Sequence, residues 1–122
     1  MKISYDKASD ALYVHVCDEA GDDASERGDD IIFDVNTNGA VVGIDIQHAS
    51  NRPGFSKDTV ACGYREEEDI FQIHLTNKQI VREVSLDWHS HLSYAADKSI
   101  VEIILLDPKK SGVLPLNYQS TL

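Results

Sequence analysis

Apolar and polar side chains alternate with period two along most of the chain, and helical spacing is hard to find anywhere in it. That pattern predicts strands with one buried and one wet face, hence a mainly β protein of antiparallel hairpins and meanders with little helix. Ile3 and Tyr5 start a short strand; Leu12, Val14 and Val16 line one face of a second, with Tyr13 and His15 on the other. The most informative stretch is "IIFDVNTNGAVVGIDI", residues 31–46. With Asn38 and Gly39 as the central pair of a tight turn, Val35 faces Val42, Phe33 faces Ile44 and Ile31 faces Ile46 on one face. The other face then pairs Asn36 with Val41, Asp34 with Gly43 and Ile32 with Asp45. A slip of one residue would carry the whole apolar set into water, so the pattern specifies the register.

A shift of 59 residues superimposes Leu12, Val14, Val16, Phe33, Val35, Val41, Val42, Ile44 and Ile46 on Phe71, Ile73, Leu75, Leu92, Tyr94, Ile100, Val101, Ile103 and Leu105 without a gap. Identities are few; the repeated pattern carries the inference of an internal duplication. The expected organisation is a first β unit at 1–50, a linker at 51–63 holding the Pro53-Gly54 turn pair, a second, diverged unit at 64–110 and an extended tail at 111–122. Each unit is expected to have three to four strands, the two packing as a sandwich or partly closed barrel. In the second unit the turn is Asp97-Lys98, which predicts a longer or looser hairpin. Where the first unit has an acidic loop, "IVREVSLDW" reads as an additional strand.

The net charge of −10, from 21 acidic and 11 basic side chains, repels phosphate backbones and anionic lipid, so direct nucleic-acid or membrane binding is not expected and a basic partner is. The acid is concentrated: Cys17 to Asp30 holds Asp18, Glu19, Asp22, Asp23, Glu26, Asp29 and Asp30 against one Arg. A solvated connecting loop is the plain reading; an acidic partner-binding surface and a cation site are the sharper ones. Cys17 and Cys62 have neither zinc-type nor C-x-x-C spacing and read as free thiols in a reducing compartment. With no apolar leader at the N-terminus and no membrane-length segment, the expected location is the cytoplasm.

No P-loop, dinucleotide or nucleophile motif is present, and no cofactor is expected. Asp34-x-Asn36-x-Asn38-Gly39, with Asp45 at the last place, is close to a calcium-loop pattern, but that loop needs a helix on each side and here both flanks alternate as strands. Candidate metal ligands are His89 and His91, which on a strand would share a face, joined across the sheet by His74. Asp6 and Asp10 read as turn residues bonding their own backbone rather than as an acid and base pair.

"KISYDKASDALYVHV", then the acidic stretch, then "DDIIFDVNTNGAVVGIDIQHAS" resembles the prokaryotic domain of unknown function 2283 family (DUF2283), through the Y-D-x-x-x-D-A-L-Y opening and the G-x-V-V-G-I-x-I closing. The resemblance covers about the first 50 residues and implies a small bacterial, archaeal or phage β domain with no established reaction, so no catalytic residue is carried over. Two functional classes follow. The first is a non-catalytic, antitoxin- or inhibitor-like interaction module that binds a basic protein, with open sheet edges that would permit homo-oligomers. The second is a small metal-dependent enzyme or metal-binding protein centred on His89 and His91.

Overall fold

The computed structural model describes residues 2–26, 30–52, 60–86, 89–112 and 119–120. Its strands are β1 (Lys2–Asp6), β2 (Ala11–His15), β3 (Asp23–Glu26), β4 (Ile31–Val35), β5 (Val41–Ile46), β6 (Ala61–Arg65), β7 (Ile70–His74), β8 (Arg82–Leu86), β9 (Ser90–Tyr94), β10 (Ile100–Leu106) and the short β11 (Gln119–Ser120). They form two open sheets, β11-β1-β2-β5-β4-β3 and β6-β7-β10-β9-β8, antiparallel throughout except for the parallel β1–β11 pair. The only helical element described is a 3-10 turn at Ala49–Asn51.

The two sheets repeat one another. The strand order 1-2-5-4-3 recurs as 6-7-10-9-8, and β1, β2 and β4 recur with identical limits 59 residues later as β6, β7 and β9. Left-handed residues recur at the same offset: Asp10 and Asp69, Asp30 and His89, Gly39 and Lys98, His48 and Asp107 all have φ between 51° and 79°. The Tyr5 hydroxyl donates to Asp10 at 2.5 Å, and Tyr64 to Asp69 at 2.7 Å. Asp10 also receives the Ser50 amide and Asp69 that of Lys109, so in each unit one carboxylate ties the first turn to the end of the fifth strand. Asp6 bonds locally, to the Ala8 amide and the Ser9 hydroxyl. A duplicated backbone with this little sequence identity follows if alternation and turn geometry specify the fold while individual residues are free to drift.

All eighteen residues of the nine repeated apolar pairs are buried. Leu12, Val14, Phe33 and Ile44 of the first sheet join Phe71, Ile73, Leu92 and Ile103 of the second in one apolar cluster, the core of a sandwich not closed into a barrel. Each inner face buries its apolar side chains against the other.

Several expectations need correcting. Among the described residues each unit has five strands, one more than the upper expectation, because β3 lies in a stretch read as loop and β6 starts in the stretch read as linker. The pairs Ile31–Ile46, Phe33–Ile44, Ile32–Asp45 and Asp34–Gly43 form as expected, but Val35 pairs with Val41, and Val42 is the extra residue of a bulge. The central residues of the turn are Thr37 and Asn38: the Gly39 amide donates to the Asn36 carbonyl, and Asn36 Oδ1 accepts from the Asn38 and Ala40 amides at 3.0 Å. That side-chain cap supplies turn bonds that a two-residue turn would lack, and Gly39 takes the left-handed position after it. The second hairpin is neither longer nor looser. Its bulge falls at Val101, and Asp97 caps its turn by accepting from the Ser99 amide and hydroxyl.

Candidate functional site

The acidic stretch follows the sheet edge. After β2, the Val16 amide donates to the Val42 carbonyl and Cys17 is buried, which raises its thiol pKa. Asp18 and Glu19 are exposed at the rim; the Asp22 amide returns the chain to the sheet through the Val35 carbonyl, and β3 then pairs Asp23 with Val35 and Glu26 with Ile32. The stretch is therefore partly an edge strand, a correction to the loop reading. Asp30, in left-handed conformation, precedes β4, and its backbone carbonyl accepts the Gln47 amide, extending the β4–β5 pairing. Asp18, Glu19, Asp22, Asp23, Glu26 and Asp30 are all exposed; Asp29 lies outside the described residues. Asp18, Asp22 and Asp30 make no ion pair with any described Lys or Arg. Glu19 is in weak contact with the Asn36 amide group at 3.4 Å.

The duplication supplies an internal comparison. At the 59-residue offset, the seven acidic positions become Asn77, Lys78, Val81, Arg82, Ser85, Trp88 and His89. The same backbone edge thus carries no acid at these places in the second unit. There, Lys78 pairs with Asp97, and the Arg82 guanidinium stands 4.7 Å from the centre of the Tyr94 ring.

The three histidines are not gathered into one site. His89 precedes β9 in left-handed conformation and so does not share a strand face with His91. His91 lies on β9 with its Nδ1 2.5 Å from Glu83, whereas His74 lies on β7, contacting Glu102 at 3.3 Å and Asn77 at 3.1 Å, with β10 between the two strands. Among the described residues no group of three His, Cys, Asp or Glu is placed to hold a metal ion. His89 instead lines a cavity of about 310 Å³ at one end of the sandwich, between the first hairpin (Asn38 to Val41) and Leu105, Leu106, Pro108 and Ser111.

A polar cluster on the outer face of the first sheet was not foreseen. The Tyr13 hydroxyl crosses over Gly43 to donate to Asp34 at 2.5 Å, and the Tyr13 and His15 rings meet edge-on at 4.5 Å between centroids. Asp45 stands beside them; burial first, then the Asp34 charge, raises its carboxyl pKa. Burial and the hydrogen bond to Asp34 both push the Tyr13 phenol upward, so it stays a neutral donor. The available signal was Gly43 inside a strand pattern, since such a glycine marks close approach by a neighbour. Asp34 and Asp45 flank a tyrosine on a hairpin here, which is not the geometry of a calcium loop.

Two stacked open sheets, built from one repeated five-stranded unit and edged on one side by carboxylates, define a duplicated β-sandwich. Residues 2–50, the first of the two units, match the family described as "Protein of unknown function (DUF2283)". No curated protein and no solved structure matches the chain. None of the helices among the described residues is long and apolar enough to cross a membrane.

Proposed function

We propose that the protein is a non-catalytic interaction module whose first-unit edge, Asp18, Glu19, Asp22, Asp23, Glu26 and Asp30, docks a basic protein. The observation that carries this reading is the internal comparison: the counterpart edge keeps the same backbone pairing with none of those acids. Charges on an edge strand do discourage sheet-to-sheet aggregation. That need is met on β8 by Arg82 and Glu83, of opposite sign, and does not call for a field of one sign. A one-signed field raises the encounter rate with an oppositely charged partner and repels others.

The test is capture from a lysate of the source cells at low salt, comparing the wild-type chain with a variant carrying Asp18, Asp22, Asp23 and Asp30 each changed to Asn. The expected result is a basic protein retained by the wild type, released by raised salt and lost with the variant. A partner held equally by both proteins and through molar salt would overturn the electrostatic reading.

A further inference from the structure

We infer that β6 is a dimerisation edge, pairing antiparallel with β6 of a second copy about Gly63. The duplication makes β1 and β6 equivalent strands, each at the end of its sheet beside β2 or β7. The outer edge of β1 is not left open: β11 lies along it, Lys2 beside Gln119 and Ile3 beside Ser120. The equivalent edge of β6, beside Ala61 and Cys62, has no strand on it among the described residues. The fold thus shows that this edge accepts a strand, and among the described residues only one of its two copies is filled.

Nothing on β6 discourages pairing. Natural edges are blunted by proline, bulges or charges along the strand. Among the described edges, β3 carries Asp23 and Glu26 and β8 carries Arg82 and Glu83, whereas β6, "ACGYR", has a single charge at its last residue and pairs with β7 without a bulge. Ala61 and Gly63 on its outer face are small and exposed, and a Cβ added at Gly63 would meet nothing within 4 Å.

The occupant follows from the chain itself. The C-terminal strand described, β11, is already used on its own β1, so what a second copy offers is its own β6. Antiparallel pairing about an axis normal to the sheet keeps both core faces on the same side; a parallel two-fold pair would set the core face of one copy beside the wet face of the other. Centred on Gly63, it places Ala61 opposite Arg65 and Cys62 opposite Tyr64, so no like charges oppose. Cys62 and Tyr64, half-buried and packed against the core, gain cover from the partner strand.

The position on the axis makes the test direct. Gly63→Cys should yield a disulfide-linked dimer on mild oxidation, since the two introduced thiols face each other, while Gly63→Asp should halve the mass measured by sedimentation because two carboxylates then meet on the axis. Ser85→Asp on β8 should leave the dimer intact. A wild-type chain that sediments as a monomer across the micromolar range overturns the inference. So does a dimer that Ser85→Asp disrupts and Gly63→Asp does not. If Gly63→Asp fails to fold, as judged by circular dichroism, the cross-linking result decides alone.

Discussion

Tyr13 occupies the space that a side chain at Gly43 would need: a Cβ on Gly43 would lie 2.0 Å from the Tyr13 hydroxyl oxygen and 2.6 Å from the ring carbon bearing it. The Gly43→Ala change must therefore displace the ring and break its hydrogen bond to Asp34. The cost should be about 1–3 kcal/mol. In a Tyr13→Ala background the same change should be nearly neutral, and a double-mutant cycle by urea unfolding checks this. Additive costs would show that the two positions do not interact.

Lys98 and Gly39 fill the same left-handed turn position, at φ 71° and 79°. Only glycine adopts that conformation without cost, so Lys98→Gly should stabilise the protein by up to about 1 kcal/mol. Gly39→Val should destabilise it by more, because a β-branched residue resists positive φ. Shifts in the urea midpoint with opposite signs are the expected outcome.

Asp10 is held below the usual carboxylate range by the Tyr5 hydroxyl first and by Ser50 second. At Asp69 burial works the other way, but the Tyr64 hydroxyl and the Lys109 and Lys110 amides outweigh it, and the net shift is also downward. A depressed folded-state pKa stabilises the fold above the unfolded value near about 4 and loses that contribution as pH falls through the folded value. Asp10→Asn should therefore lower Tm at pH 7, and the gap from wild type should narrow as the pH is taken below about 4. Calorimetry showing a constant gap would contradict the linkage.

Phe33 is fully buried against Ile44, whereas Ile32, one residue away, lies on the half-exposed outer face. Phe33→Ala should cost about 3–5 kcal/mol and Ile32→Thr far less. Equal costs would refute the register.

Those residues also mark how far the sequence could be read. The alternation around Phe33 and Ile44 declares the register because each side chain has only one acceptable face. The bulge is silent because Val41 and Val42 are both apolar, so the pattern does not say which one is extra. Asn36 redirects the turn with its side-chain oxygen, whereas Asn38-Gly39 gives a stronger local signal for a tighter turn. Strand β3, "DASE", has no apolar face and is held by pairing with β4, so no periodicity could reveal it. The acidic edge was legible as composition; only the duplicated backbone shows that an edge of the same pairing forms without acids at those places.

The structural role of the acidic edge can be measured independently of any partner. With Asp18, Asp22, Asp23 and Asp30 all changed to Asn, equilibrium urea unfolding at low salt should give a stability equal to wild type or slightly higher, because like charges along one edge repel one another and lie outside the core. A loss of about 2 kcal/mol or more, the size expected when a structural bond network is broken, would show that the carboxylates serve the fold itself and would contradict their assignment to a basic partner.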